Sequence, residues 1–350
     1  STDPNLARFV AATDLLSAHR SYESSEALLH HLLEVRAGGI AKMALMGAMA
    51  RSPNAALVDG LLECLDRTDN PQGVAAAIEV LGLRREAMAL DSLKRLAAPG
   101  NSPNLRKASI IALGRIGDIS AIDILLPALE EPELAEETSV ALLLLGEWQG
   151  VDFQAQSLAA QRPGMGRSLG EIVGRYGGPN YLLLLFRSAD LEGPAGLGAL
   201  QGLGYLGDPR AVSRLIEATA SRDHARARVA SGALEIITGH HEDPEESLLR
   251  NRWTHWWEEH QNHFEDGFRY RHGRLMDPGL LLDRMSHDDP MVRRSTYDEL
   301  VIATGQRLPF DAEGPYRVQT THIDAWRRWW SENSERFPTG RWTFHGDMIG

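Results

Sequence analysis

Apolar residues recur at intervals of three and four along almost the whole chain, and no sustained alternation of apolar and polar residues appears. Residues 105–117 are typical: Ala108, Ile111 and Ala112 lie on one apolar stripe, and the basic residues of this segment lie off it. Such a stripe needs another helix to cover it. Prolines, often directly after Ser, Asn or Asp, stand where helices could begin. The pattern therefore predicts many short helices packed on one another.

Glycines that follow an apolar pair recur with a period of roughly 30 residues, and the last interval is about twice as long, which is typical of repeats built from two helices. They are Gly47, Gly82, Gly114, Gly146, Gly174, Gly204, Gly239 and Gly305. Because glycine has no Cβ, it suits the left-handed residue that terminates a helix, and we expect these glycines to end helices. The period predicts an all-α fold, a right-handed α-solenoid of about eight to nine helical pairs.

Two of these units carry a recognisable consensus. Leu113-Gly-Arg-Ile-Gly-Asp118 is followed by Ala121-Ile-Asp-Ile124, and Leu203-Gly-Tyr-Leu-Gly-Asp208 is followed by Pro209-Arg-Ala-Val212. They resemble HEAT repeats of the phycobilisome lyase type, in which an outer helix ends in Leu-Gly-x-x-Gly-Asp and an inner helix opens with Pro-x-Ala-Val. The resemblance extends over roughly residues 25–305. It implies a helical solenoid and says little about function.

A longer unit is duplicated in the C-terminal third. Leu234–Gly239 recurs as Leu300–Gly305, and the loop after the second copy, Gln306–Val318, is longer. Downstream, a Trp-x-x-Trp-Trp motif occurs twice, as Trp253, Trp256 and Trp257 and as Trp326, Trp329 and Trp330. This spacing places the three indoles on one side of a helix, where we expect them to form a structural cap on the solenoid. The alternative is an aromatic docking site for a partner, assisted by neighbouring arginines.

The Thr-Gly and Trp-x-x-Trp-Trp pattern also resembles a family of uncharacterised bacterial HEAT-repeat proteins whose genes often lie beside type VI secretion components. Together the patterns predict three regions: irregular helical repeats at 1–66, regular HEAT-like repeats at 67–239, and the duplicated Trp modules at 240–350.

The net charge of −12 and the pI near 5.6 argue against a general nucleic-acid binder, whose affinity depends on Lys and Arg. The one cysteine, Cys64, excludes an internal disulfide and fits a reducing compartment. No apolar run is long enough to span a bilayer, and the N-terminus has no signal-peptide pattern. We expect a cytoplasmic protein whose partners are other proteins, without nucleic acid or membrane.

Candidate chemistry is sparse. His255, His260 and His263 lie with Glu259 on the first Trp helix, but the second copy has no matching ligand set. His240 to Asp243 contains one His-Glu pair, whereas HEAT-repeat hydroxylases hold two irons with several such pairs. Cys64, in an apolar helical segment, is expected to be a small buried residue. The sequence therefore predicts no catalytic residue, no cofactor and no metal.

The predicted function is a non-catalytic scaffold or adaptor in a bacterial cytoplasm, accessory to a type VI secretion system. The predicted protein-binding residues are Arg210 and Arg214, on an inner helix, and Asp123. The alternative without a binding role is that the two arginines lie on a solvated helix face, where they pair with Glu217 and Asp223. Rival functions are a bilin lyase, a toxin-sequestering immunity protein, and a DNA-repair glycosylase, against which the negative charge counts.

Overall fold

The computed structural model describes residues 4–34, 40–67, 70–162, 166–244 and 248–350. These residues form two compact units. Unit 1 comprises residues 1–147 and 309–324, and unit 2 comprises residues 148–308 and 325–350. The division differs from the three regions drawn from the sequence. Among the described helices, none combines the length and apolar character needed to cross a membrane.

Unit 1 is built from helices that stack in order along the chain. The helices are α1 Pro4–Ala18, α2 Tyr22–Glu34, α3 Ile40–Arg51, α4 Ala55–Cys64, α5 Pro71–Arg84, α6 Leu90–Ala97, α7 Pro103–Ile116, α8 Ile122–Leu125 and α9 Ala135–Leu144. The odd-numbered helices pack each against the next in one layer, while α2 packs on α4 and α6 on α8 in a second layer. This alternation is the arrangement expected of helical-pair repeats.

Unit 2 continues the same plan and adds two β-hairpins. Its helices are α10 Gln149–Ala159, α11 Ser168–Tyr176, α12 Leu182–Ser188, α13 Gly193–Leu206, α14 Val212–Ala218, α15 His224–Thr238, α16 Leu249–His260, α17 Pro278–Arg284 and α18 Pro290–Thr304, and α19 Tyr316–Asn333 has residues in both units. The strands are β1 Tyr270–Arg271, β2 Arg274–Leu275, β3 Trp342–Phe344 and β4 Asp347–Ile349. Strand β1 pairs antiparallel with β2, and β3 with β4. The helical pairs confirm the predicted all-α solenoid class.

Local capping chemistry explains where several helices begin. Ser102 accepts a hydrogen bond from the amide of Leu105 just before Pro103, and Asp289 accepts one from Met291 just before Pro290. Each cap satisfies an amide at the helix start, and proline at the first helical position has no amide to satisfy. The prolines therefore mark helix starts as the sequence predicts.

The periodic glycines fall into two groups. The expectation that they end helices is confirmed for three, which follow α9, α15 and α18 with positive φ: Gly146, Gly239 and Gly305. It is wrong for the other five, which lie inside helices: Gly47 in α3, Gly82 in α5, Gly114 in α7, Gly174 in α11 and Gly204 in α13. A Cβ on Gly114 would lie 2.7 Å from the Cα of Ala141 in α9, the next helix of the layer. Gly82, Gly174 and Gly204 likewise lie against the backbone of the next helix in the layer, so close helix contact explains glycine at these positions. The left-handed ends of α7 and α13 are Gly117 and Gly207, three residues later.

Candidate protein-binding surfaces

Arg210 and Arg214 lie close together in unit 2, and both are engaged in ion pairs. The Nε and Nη2 atoms of Arg210 donate to the buried carboxylate of Asp208 at 2.9 and 2.6 Å. Arg214 pairs with Asp190 and, at 3.2 Å, with Glu217. The expected pairing with Glu217 is confirmed, whereas the carboxylate of Asp223 caps the start of α15. The local carboxylates thus compensate these two charges, and their role in binding remains a prediction.

Asp123, the third predicted binding residue, is exposed on the short helix α8. It belongs to unit 1, whereas the two arginines belong to unit 2. Its role in binding also remains a prediction.

Each Trp module contains a β-hairpin. The turn of the hairpin forms backbone hydrogen bonds with the end of the helix that carries the Thr-Gly sequence. In the first module, the amides of His272 and Gly273 donate to the carbonyls of Ile236 and Ile237 at 2.7 and 2.9 Å. In the second, His345 and Gly346 do the same to Ile302 and Ala303, at 2.7 and 3.0 Å. All four turn residues have positive φ, as a two-residue type I′ turn requires. The sequence duplication is therefore a structural duplication.

The six motif tryptophans divide into two kinds. Trp253 and Trp326, the first residue of each motif, have no exposed surface, and the indole N–H of Trp253 donates to Ser231 at 3.1 Å. The second and third tryptophans of each motif are half-buried. Among these, Trp257 packs on Phe264 at 5.3 Å and Trp330 on Phe337 at 5.5 Å between ring centroids. These aromatic contacts lie within the module to which each ring belongs.

Two imidazoles sandwich the indole of Trp256. The ring of His240 stacks on it at 4.6 Å and the ring of His260 at 4.4 Å, both nearly parallel. The Nδ1 of His260 is bonded to the Trp256 carbonyl at 2.7 Å, and His240 contacts Glu242 at 2.9 Å. The described residues contain no group of three or more His, Cys, Asp or Glu side chains that could hold a metal. These histidines are instead engaged in stacking and hydrogen bonds.

A buried ionic cluster anchors the first hairpin. Glu299 of α18 lies 2.9 Å from Arg271, 3.5 Å from Arg269 and 3.9 Å from Arg175. Burial disfavours the charged carboxylate, but the arginines outweigh this and lower the pKa of Glu299 below its usual value. Burial and the neighbouring Arg271 lower the pKa of Arg269 to about 10.

The cluster also joins the hairpin to two helix ends. Arg269 donates to the carbonyls of Arg175 and Tyr205, at 2.8 and 3.2 Å. These carbonyls lie in the last turns of α11 and α13, where a cation interacts favourably with the helix dipole. The two helices, the hairpin and α18 are thus held at one point within unit 2.

An open groove runs between α2 and α4 in unit 1, with a volume of about 1150 Å³. Asn54, the N-cap of α4, aligns the two helices because its Nδ2 donates to the Ser21 carbonyl at 2.8 Å and to the Ser25 hydroxyl at 2.5 Å. The apolar residues that line the groove are buried or half-buried, and we call them its floor: Ala27, Leu29, Leu33, Ala56, Gly60 and Cys64. Leu29 and Leu33 are half-buried, so part of their apolar surface faces the groove.

The rim of the groove is strongly acidic. Glu23 and Glu26 line it from α2, and Asp59 and Glu63 line it from α4, with Arg67 just beyond α4. Four carboxylates against one guanidinium give a net charge of −3 with His30 neutral. Tyr22, whose side chain is 64% exposed, stands at one end, and its hydrogen bond to Glu26 raises its pKa. The groove thus combines an apolar floor with negative charge on both sides.

Cys64 fulfils the expectation of a buried residue. It is 5% exposed, and burial raises the pKa of its thiol, which keeps it in the unreactive protonated form. It contributes to the floor of the groove as an apolar surface.

Comparisons with known proteins agree with this geometry at the level of the repeats. Residues 58–146 match the family model for HEAT repeats, and residues 197–221 match the model for the PBS lyase HEAT-like repeat. HEAT-type repeats are thus confirmed in both units. A search of the curated proteins finds no match to this chain.

Among solved structures, the chain is similar to human deoxyhypusine hydroxylase in complex with glycerol. The sequences are 17% identical, the match covers 80% of this chain and 95% of that chain, and the TM-score is 0.33.

Sequence reasoning did not find the groove. The signal was present, because Tyr22, Glu26, Leu29 and Leu33 follow one another at helical spacing on α2. The sequence does not reveal which side of such a helix remains uncovered, since that depends on the placement of α4, about 30 residues further along.

Proposed function

We propose that this protein is a non-catalytic interaction scaffold that binds a protein partner in the acidic groove between α2 and α4. The groove carries this proposal, because it offers open apolar surface together with charged groups on both sides. Such a combination provides both burial energy and selectivity for a partner. Repeat solenoids generally bind proteins along extended surfaces, and the HEAT repeats support the same role.

We further propose that the scaffold is an adaptor accessory to a type VI secretion system in the bacterial cytoplasm. The support is the resemblance of the two Trp modules to proteins encoded beside such systems. An immunity protein that sequesters a toxin would use the same kind of surface, so the identity of the partner distinguishes the two roles.

A bilin lyase remains the enzymatic alternative, supported by the PBS lyase HEAT-like match at residues 197–221. That activity requires a pocket that encloses the pigment. Unit 2 has a pocket lined by Leu158, Arg162 and Glu192, with a volume of about 230 Å³. Ligand pockets usually measure about 300 to 1,000 Å³. This pocket therefore lends no support to the lyase, and the scaffold function rests on the α2–α4 groove.

Affinity capture with groove variants tests the proposal. The tagged wild-type chain is compared with Glu26→Lys/Glu63→Lys, which reverses two rim charges. The matched control is Glu133→Lys/Glu136→Lys, which makes the same charge change at exposed positions of the same unit. We expect one partner to be captured by the wild type and the control and lost with the groove variant. Equal capture by all three proteins would show that the groove is not the binding site.

A further inference from the structure

We propose that the occupant of the α2–α4 groove is a basic amphipathic helix of the partner protein. This inference rests on the proposed function, since it names the class of partner that the same groove accepts.

The dimensions of the groove suit a helix. Its α2 wall extends from Tyr22 to Leu33, which at 1.5 Å per residue is about 17 Å, or three helical turns. Its volume of about 1150 Å³ exceeds that of most small-molecule pockets, which reach about 1,000 Å³. The groove opens to solvent, so a helix can enter it from the side.

The floor matches the apolar face of such a helix. Leu29 and Leu33 provide apolar surface from α2. Ala56 and Gly60 have small or no side chains, so the α4 side of the groove leaves room for the side chains of a bound helix. The missing side chain at Gly60 also allows α2 to approach, because a Cβ there would lie 2.3 Å from the Cδ1 of Leu29. Helices that bind in grooves insert apolar side chains spaced at i, i+3 or i+4, and i+7. These side chains lie on one face of the helix, and that face can pack on the floor of the groove.

The rim selects for positive charge on both flanks of that apolar face. Glu23 and Glu26 stand on one side, and Asp59 and Glu63 on the other. Lys and Arg have long apolar stems, so they can cover the edges of the floor while their charges reach the rim carboxylates. A helix with acidic flanks would meet like charges on both sides, which costs affinity.

Direct binding of synthetic helices tests this inference. The probes are fluorescently labelled peptides of about 18 residues, long enough to form helix on binding. The first has a leucine stripe flanked by lysines, the second has glutamates in place of the lysines, and the third has the composition of the first with the leucines scrambled. Fluorescence anisotropy measures their affinities for the full chain, and circular dichroism verifies that each protein variant is folded.

We expect the leucine-lysine helix to bind the wild type more tightly than the other two peptides. Glu26→Lys/Glu63→Lys should weaken its binding about tenfold or more, equivalent to about 1.4 kcal/mol, while Glu133→Lys/Glu136→Lys should leave it unchanged. Ala56→Phe, which fills the floor without changing charge, should also weaken it. Equally tight binding of the glutamate or scrambled peptide, or of the lysine peptide to the groove variant, would overturn the inference.

The outcomes also separate this inference from the proposed function. If the groove variant loses the captured partner while no peptide discriminates as described, the scaffold function stands and the basic helix is excluded. If the groove variant retains both the partner and the peptide, the groove is excluded as the site and both proposals fall.

Discussion

Asp311 forms an ion pair with Arg51, a residue 260 positions earlier in the chain. Arg51 is the last residue of α3 and also pairs with Asp14 of α1 at 2.7 Å. Asp311 lies between α18 and α19, and the loop that the sequence predicts at Gln306–Val318 ends earlier, because α19 begins at Tyr316. Residues 309–324 belong to unit 1 with these helices. This C-terminal segment therefore packs with the N-terminal repeats of unit 1.

The Arg51–Asp311 pair should contribute measurably to stability. Both side chains are largely buried, at 22% and 14% exposure, so solvent screens the pair only in part. A double-mutant cycle with Arg51→Ala and Asp311→Ala should give a coupling of about 1 kcal/mol in the free energy of unfolding. Chemical denaturation of the four proteins provides the measurement. A coupling of zero would mean that the segment is held without this pair.

Gly202→Ala should destabilise the protein strongly. Helices α11 and α13 cross with their backbones in contact, and a Cβ on Gly202 would lie 2.1 Å from the carbonyl oxygen of Gly170. Relief of this clash requires the helices to separate, at a cost of about 1 to 3 kcal/mol or more. Gly232→Ala in α15 is the matched control, because no atom lies within 4 Å of its added Cβ. There alanine should stabilise by about 0.5 to 1 kcal/mol. Thermal melting that shows the same sign for both substitutions would contradict this packing.

Trp326→Ala should cost more stability than Trp329→Ala. The Trp326 side chain is fully buried, so its loss should cost about 3 to 5 kcal/mol. Trp329 is half-buried and should cost less. The capping hypothesis further requires that these losses appear in the unfolding transition and not selectively in partner binding. A Trp326→Ala protein that melts like the wild type but loses its partner would favour the docking alternative.

Glu299→Gln should destabilise unit 2 because it removes the carboxylate that faces three buried or nearly buried arginines. Breaking a buried ion pair in this way costs about 3 to 5 kcal/mol. The exposed Glu332 of α19 supplies the control, and Glu332→Gln should change stability by less than about 0.5 kcal/mol. Denaturant unfolding of both variants tests the difference, and similar values would show that the cluster adds nothing to stability.

Acidification should weaken the fold through His272. The His272 side chain keeps an exposed edge, but its partial removal from solvent and the nearby Arg284 and Arg271 lower its pKa below the usual value near 6.5. The unfolded chain therefore takes up the proton first as the pH falls, and stability declines as the pH drops below about 6.5. His272→Asn should reduce this dependence, since asparagine tolerates the left-handed φ of 50° and does not titrate. Thermal melts from pH 8 to pH 5 test this, and an unchanged slope would exclude His272 as a contributor.

Local chemistry made part of this fold predictable. Asn70 and Ser102 cap helices immediately before Pro71 and Pro103, so these helix starts can be read from neighbouring residues. The sequence also shows the glycine period, but it does not show which glycines lie at contacts between helices. Gly114 contacts Ala141 of another helix, and that contact exists only once the repeats are stacked.

The remaining features depend on residues far apart in sequence. The Glu299 cluster brings together residues of α18, a hairpin and two earlier helices. No spacing in the sequence predicts that these residues meet. The groove likewise depends on an uncovered face of α2, which lies in the region where the sequence predicts irregular repeats. Sequence patterns indicate which faces are apolar, and tertiary packing determines which of them remain open.

Site-specific photo-cross-linking in cells tests the central claim most directly. A photoreactive phenylalanine analogue replaces the exposed Tyr22, at one end of the groove, and separately the exposed Glu133 in the same unit. We predict a discrete cross-linked product with one partner protein from position 22, lost in the Glu26→Lys/Glu63→Lys background, and none from position 133. Absence of a product at position 22, or an equal yield of the same product at position 133, would contradict binding in the groove.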